Sequence, residues 1–576
     1  MRWRGPNSTF SHLWEDRLFL GQTILSITGE LPATVGVHHR SRSGRYQVLY
    51  NGEIYNFRDL EERFFCSHPE LVSQNGTDTE VLTNLHEVLS PAEIPPLLDG
   101  MYAYGVFDAL ARQLHLVRDV QGEKSLYIYE DAQWIVIASE IRAIRMVVPG
   151  ITVDPQALRD YFHTRHLMLF GRTVYQGIRQ LRPGCLETLH LDSFEWSETP
   201  IVRLRDWINP KRLLENSRRS LDSLADELES LLSQCVQEMI PRGPRYAVVV
   251  SGGIDSSLIA RYVLTHGNPH ALVAVNHVGK DRISADLSGF EQVLGRPINI
   301  VRVDSGVYAS EIPRCQQVCG GPLHSHSFVG QALQSALVHT LGCRVLFGGD
   351  GGDELFGGYE AYAGTCDSNV RFSPSPYTAY QTPCVEFEED VDERLQEALA
   401  RAWSDALDVY RFVESPRERM MLAMMYCDAA YQLSDVGLRG TDLMSMMWSV
   451  EARSVYLRRP ILQFALNLPA RMKTDYDLNT PSLLRAKPLL KHLFLRSYPR
   501  SLLVEKQGFA GFPNESASYL GELSDYLTWA FLGIRPSSIQ KAWADRATAW
   551  KLINVEYFLR SRGLVHMDVH DAVEIR

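Results

Sequence analysis

The most regular alternation of apolar and polar positions lies in the middle of the chain. An apolar run over 246–250 reads as a buried strand. It is followed over 256–266 by helical spacing of Leu258, Ile259, Tyr262 and Val263, closed by Gly267. Strand-like runs then recur at 271–276, 298–303 and 344–347, separated by helical patterns near 284–294 and over 329–340. Such alternation predicts a parallel sheet with helices on both faces. A helix over 221–240, with Leu224, Leu228, Leu231, Leu232, Val236 and Met239 on one stripe, leads into the first of these strands.

The N-terminal third has a different rhythm. Residues 46–56 read as a strand that meets a tight turn at Asn51-Gly52 and resumes as a short strand. A capped helix opens at Thr77-Asp78-Thr79-Glu80 and carries Val81, Leu82, Leu85 and Val88 on one face. Further strands are predicted over 102–107, 114–118, 125–129 and 134–138, so this part is α+β with much antiparallel sheet. After a turn at Arg182-Pro183-Gly184 and a strand over 185–190, a polar run continues to about Arg219 and marks a boundary. The expected division is one domain over 1–205 and a second over 220–576.

Bulk properties narrow the class. With 576 residues the chain is too long for one core. Its 45% hydrophobic and 22% charged content excludes a disordered or collagen-like chain. A net charge of −11 argues against a nucleic-acid partner held by a general basic field. No apolar run reaches the ~18 residues of a membrane span. The nine scattered cysteines and the lack of a secretory leader lead us to expect a cytoplasmic protein.

Two glycine-rich stretches carry the chemistry. In Ser251-Gly252-Gly253-Ile254-Asp255-Ser256-Ser257, a strand, a glycine turn and a helix start form a phosphate cradle, with backbone N–H groups and a positive dipole end facing the anion. An Asp and two hydroxyls stand where a Walker loop has lysine, which suits a leaving pyrophosphate with Mg2+ better than a transferred γ-phosphate. The second stretch, Phe347 to Tyr359, packs six glycines and three acids into thirteen residues, a poor core segment but a good seat for a nucleotide and its metal. Both follow predicted parallel strands, at whose carboxyl ends ligands gather. Cys315, Cys319, His324 and His326 do not have the spacing of a usual zinc frame. The acidic run over 386–393 reads as a solvated loop.

Several blocks resemble asparagine synthetases. In the N-terminal third these are Arg4-Gly5-Pro6-Asn7, Asn51-Gly52-Glu53-Ile54-Tyr55-Asn56, Thr77-Asp78-Thr79-Glu80, Asp99-Gly100-Met101-Tyr102-Ala103, Arg118-Asp119 with Gly122 and Lys124, and Ala138-Ser139-Glu140-Ile141. In the remainder they are the second glycine stretch, Asp442-Leu443-Met444-Ser445-Met446, Val450-Glu451-Ala452-Arg453, Phe464 to Pro469, and Lys506-Gln507-Gly508-Phe509. The resemblance implies an α+β N-terminal-nucleophile-like glutaminase domain followed by an α/β parallel-sheet ATP-pyrophosphatase domain with C-terminal helices. It places Asn51 and Gly52 in an oxyanion hole, with Glu53 and Asp78 on the glutamine amino group. It places ATP on Val249, Ser251, Gly252, Gly253, Asp255, Ser256, Ser257, Val275, Gly348 and Gly349, and Mg2+ on Asp255 and Asp353. Asp350 then serves the acyl-adenylate step, and Lys506 neutralises charge on the α-phosphate and pyrophosphate. The implied partners are a small carboxylic acid and ammonia, an amine or glutamine, and the implied assembly is a homodimer.

The chain departs from that family at informative places. Arg2, not cysteine, follows Met1, and Ile24 stands where the family has an arginine that pairs with the glutamine carboxylate. An inactive glutaminase is therefore expected, with a mis-assigned start as the competing explanation for the missing cysteine. Val455-Tyr456-Leu457-Arg458 ends in a base where the family ends in an acid, and Cys319 to His326 replaces an acidic segment. Both changes are expected to face the acid substrate and the incoming amine. Three readings stand: an asparagine-synthetase-type amide synthetase; a specialised synthetase forming a lactam, amide or cyclic peptide with a substrate amine; and a non-catalytic ATP-binding scaffold.

Overall fold

The computed structural model describes residues 2–15, 17–28, 39–164, 169–277, 287–364, 370–375, 377–388, 393–475, 479–504, 520 and 525–561. In the N-terminal part, β1 (Ser8–Trp14) and β2 (Leu18–Ile24) form a hairpin. The strands β3 (Tyr46–Ile54), β4 (Gly100–Asp108), β5 (Gln113–Arg118), β9 (Cys185–His190) and β10 (Glu195–Pro200) make a five-stranded antiparallel sheet in the order β10-β9-β5-β4-β3. A second sheet has β6 (Tyr127–Glu130) between β7 (Ile135–Ala138) and β8 (Ile178–Gln180). One face of the five-stranded sheet packs Val48, Tyr50, Tyr104 and Val106 on the helices Phe57–Phe65 and Asp78–Leu85; the other packs Phe107, Leu114 and Leu116 on Ile128 of the smaller sheet and on Leu126 just before it. Covering on both faces explains why β4 is almost wholly buried and lacks a clean period of two.

The turn expected at Asn51-Gly52 does not form. β3 runs straight through it, with Asn51 opposite Ala103 and Gly52 opposite Tyr102. Pairing with β4 overrides the local turn signal. Glycine is needed for a different reason: a Cβ at Gly52 would lie 2.0 Å from the Met101 carbonyl oxygen. Gly52→Ala should therefore cost at least ~2 kcal/mol of stability in a urea melt, because backbone and not a pliable side chain must yield.

The polar run after β9 is not a bare linker. It supplies β10 to the N-terminal sheet, then the helix Pro210–Ser217, which docks on the C-terminal part through Leu213 and an Asn216 side chain bonded to the Asn467 carbonyl.

The C-terminal part is built on five parallel strands in the order β13-β12-β11-β14-β15: β11 (Tyr246–Val249), β12 (Ala271–His277), β13 (Ile298–Val303), β14 (Val345–Gly348) and β15 (Glu451–Ser454). The helices Leu221–Met239 and Ile254–His266 cover one face and Ser327–Thr340 the other. The Val450-Glu451-Ala452-Arg453 block supplies most of β15. The chain leaves β11 toward β12 and β13 and returns on the opposite side as β14, so the strand order reverses between β11 and β14. A crevice at the carboxyl ends follows from that reversal. None of the helices among the described residues is long and apolar enough to cross a membrane.

Buried charges join the two parts. The Arg4 guanidinium donates to both Asp442 oxygens at 3.0 Å and to Glu140 at 3.2 Å, and Lys124 Nζ donates to Asp442 at 3.0 Å. Burial alone would raise the Asp442 carboxyl; the two cations hold it below its usual value.

Candidate functional site

The reversal point holds both glycine stretches. After β11 the chain turns through Ser251-Gly252-Gly253 and enters the helix Ile254–His266. Ser256 ties the turn: its Oγ accepts from the Ser251 N–H at 3.1 Å and lies 2.8 Å from Ser251 Oγ. The Ser257 hydroxyl is buried and has no hydrogen-bond partner among the described residues. Its carbonyl accepts from Tyr498 Oη at 2.6 Å. Ser251 and Gly253 face solvent, whereas Val249 and Val275 are half-buried on β11 and β12.

The second stretch meets the first directly. After β14, Gly348 and Gly349 lead through Asp350 and Gly351 into a short helix, Gly352–Phe356. A Cβ at Gly352 would sit 2.6 Å from Asp255 Oδ1, so only glycine lets Asp353 come level with Asp255. Between these two carboxylates lies the ammonium of Lys487. It is 2.6 Å from Asp353 Oδ1 and still closer to Asp255 Oδ2. Burial would lower the Lys487 ammonium, but Asp255 and Asp353 more than reverse this and hold it above its usual value. Two hard oxygen donors converging on one cation are a donor set that also fits Mg2+.

Asp350 stands apart from that cation. It accepts from Thr441 Oγ1 at 3.3 Å and from Ser454 Oγ at 3.5 Å, and Gln331 Nε2 donates to Thr441 Oγ1 at 3.3 Å. Burial pushes its carboxyl up to about 6, against those two hydroxyls and with help from the charges of Asp353 and Asp255.

The sequence-predicted residues of the second stretch and the first loop are thus brought together. Lys506 lies outside the described residues. Lys487, Thr441, Ser454 and Gln331 were missed, because each reaches the site from a distant element; a lone lysine before the proline that opens the helix Pro488–Ser497 carries no local signal.

Near β3, the residues expected to bind glutamine are engaged by protein groups. Both Asp78 oxygens are taken, Oδ2 by Tyr50 Oη at 2.7 Å and Ile54 N–H at 3.0 Å, Oδ1 by Thr79 N–H at 2.8 Å. Glu53 accepts from Thr28 Oγ1 and faces Arg453 Nη2 at 3.4 Å. Burial raises the Glu53 carboxyl and Arg453 partly offsets this. Asn51 Nδ2 is buried with no partner among the described residues. Ile24 ends β2 and offers no charge.

Arg458, expected to face the acid substrate and the incoming amine, is buried, its guanidinium 2.7 Å from Asp99 Oδ2 in the N-terminal part and 2.5 Å from Glu238 Oε2.

Comparison with known proteins places these features. Residues 227–557 match the asparagine synthase family model, and residues 1–199 match that of a glutamine amidotransferase domain. A putative glutamine-hydrolyzing asparagine synthetase of Mycobacterium bovis is 26% identical over 328 residues, covering 55% of this chain and 48% of the relative. Glutamine-hydrolyzing asparagine synthetase 3 of Bacillus subtilis is 23% identical over 540 residues, 88% of this chain and 81% of the relative. The amidase chry2 of Gibberella zeae is 24% identical over 360 residues, 60% of this chain and 51% of the relative. The chain thus spans about half the length of the first of these relatives. Among solved structures, the allosteric regulatory enzyme of purine biosynthesis aligns with 52% of this chain and 59% of its own at 14% identity, with a TM-score of 0.21.

Proposed function

The chain belongs to the asparagine synthase family, and on that premise we propose that it is a ligase that forms a carbon–nitrogen bond by adenylating a small carboxylic acid. The observation that carries the reading is the convergence of Asp255, Asp353 and Lys487 beside the Ser251–Ser257 turn, at the reversal of a parallel sheet. The substrate carboxylate attacks the α-phosphorus of ATP, forming the acyl–O–P bond and breaking the bond to pyrophosphate. The amine then attacks the acyl carbon, forms the C–N bond and expels AMP. Backbone N–H groups of the turn and the start of the helix Ile254–His266 bind phosphate oxygens, and Ser251, Ser256 and Ser257 add hydroxyls. Asp255 and Asp353 would hold Mg2+, which when bound supplies charge neutralisation for the departing pyrophosphate. Lys487 adds a positive charge at the same two carboxylates, in the place the metal would share or take.

Asp350 takes the proton that the amine sheds. A carboxyl pushed up to about 6 is mostly ionised at neutral pH yet basic enough to accept it. Protonation below that value removes the acceptor. Amide formation, expressed per unprotonated amine, should therefore fall as pH drops through about 6 and level off above it. A profile with no acid limb in this range refutes the role.

The engaged state of Glu53 and Asp78, with Ile24 in β2, favours ammonia or a substrate amine over glutamine as the nitrogen donor. The testing experiment is pyrophosphate release from ATP with a panel of acids, each with ammonia, with glutamine or with no added amine. Release marks adenylation of the acid; a cyclised product formed without added amine identifies an intramolecular ring closure; asparagine formation identifies aspartate as the acid; no release with any acid overturns the proposal.

A further inference from the structure

Arg458 is the departure that the reaction scheme leaves unused, and Tyr55, Asn56 and Asp99 are N-terminal motif residues with no part in it. The structure brings all four together. The segment Glu451 to Arg459 comprises β15, a single turn Val455–Leu457 and the start of the helix Arg459–Leu466. One side of it touches the nucleotide loops. Ser454 Oγ donates to Asp350, Tyr456 Oη donates to the Asp255 carbonyl at 3.4 Å, and Leu457 lies where a side chain on Gly351 would be, its Cδ2 2.5 Å from that position.

The other side grips the N-terminal domain. Arg453 faces Glu53, and the guanidinium carbons of Arg453 and Arg458 stand 5.4 and 4.8 Å from the centre of the Tyr55 ring. Arg458 Nε and Nη2 both donate to Asp99 Oδ2, at 3.0 and 2.7 Å, while the Arg459 N–H donates to Asp99 Oδ1 at 3.0 Å. Asp99 is itself fixed: its N–H donates to Asn56 Oδ1 at 2.9 Å and its carbonyl accepts from the Tyr55 N–H at 2.9 Å. Arg458 is 2% exposed, so the pair is shielded from solvent and from salt. An ion pair so placed adds little net stability over apolar side chains but fixes register, since removing Arg458 strands the Asp99 charge and removing Asp99 leaves Arg458 only the more exposed Glu238 of its own domain.

We propose that the segment from Glu451 to Arg459 is an interdomain strap, through which Asp99 and Arg458 make the N-terminal domain a positioning element of the nucleotide loops. The proposal rests on the adenylating role assigned above. It gives the N-terminal domain a task that needs no glutamine hydrolysis. The strap is one continuous element with Asp99 at one end of its contacts and Asp350 and Asp255 at the other, so a shift of the Arg458 anchor is transmitted along the backbone. Small displacements of reacting groups cost about tenfold to a hundredfold in rate without loss of substrate binding.

The test uses the full chain and two near-isosteric variants. Asp99→Asn weakens the strap anchor. Asp108→Asn, the control, weakens the 2.7 Å Arg45–Asp108 pair at the far end of the N-terminal sheet. Asp99→Asn should lower kcat for pyrophosphate release by about tenfold or more with the KM for ATP unchanged within about threefold. It should also lose amide hydrogen-exchange protection over 346–358 and 451–459. Asp108→Asn should do neither, whatever it does to Tm. Retained kcat and protection in Asp99→Asn, or the same losses in Asp108→Asn, overturn the strap. Wild-type protein that releases no pyrophosphate with any acid refutes the adenylating role instead, and the exchange pattern then decides the strap alone.

Discussion

Asp255→Ala should reduce ATP-dependent pyrophosphate release by about a thousandfold or more, the scale seen when a preorganised charge at a phosphoryl site is removed. The carboxylate begins the helix Ile254–His266, which fixes its direction, and shares Lys487 with Asp353. Removing it leaves Asp353 alone on the cation and opens the wall that Gly352 is shaped to meet. The fold should survive, because the Asp255 carboxylate is partly exposed and the Tyr456 hydroxyl bonds to its carbonyl, which alanine keeps. Initial rates of pyrophosphate release, with near-ultraviolet circular dichroism as the folding check, decide it. Activity within about tenfold of wild type in a folded variant would sink the assignment of this site.

The parallel sheet could be read from the sequence because its inner strands are buried on both sides and therefore appear as uninterrupted apolar runs between glycine turns. The two glycine stretches were legible for the same reason in reverse: so many glycines and acids cannot be core. β15 was not legible. Glu451-Ala452-Arg453-Ser454 reads as polar surface, and it is buried only because Arg453 meets Glu53 and Glu451 and is held by the Met239 carbonyl. Glu53 and Met239 lie far away in sequence. The Asn51-Gly52 turn failed because a local preference of a few tenths of a kcal/mol cannot compete with a strand paired along its whole length. Lys487 and Arg458 teach the same lesson about sites: a charge in a sequence reveals its sign, while its function is set by which opposite charge the fold carries to it.

Lys487 makes the second large prediction. Its side chain is 6% exposed and its ammonium neutralises two carboxylates, so Lys487→Met removes the cation while keeping most of the side-chain volume. Breaking a buried ion pair by deleting one partner costs about 3–5 kcal/mol, because the remaining charge is stranded. In chelator-treated protein at pH 7.5 the variant should be less stable than wild type by about that amount in urea melts. The sign of the pH dependence follows from the Lys487 ammonium being held above its ordinary value. A raised pKa means that its contribution is fully present below the ordinary lysine value of about 10.4 and is lost only as pH rises through the folded-state value. The gap between wild type and variant should therefore be constant from about pH 7 to 9. Millimolar Mg2+ should then stabilise the variant more than the wild type, since a divalent ion can take the place that the ammonium vacates between Asp255 and Asp353. Equal stability in the two proteins would show that the carboxylates do not depend on Lys487. A variant indifferent to Mg2+ would show that the pair does not bind it.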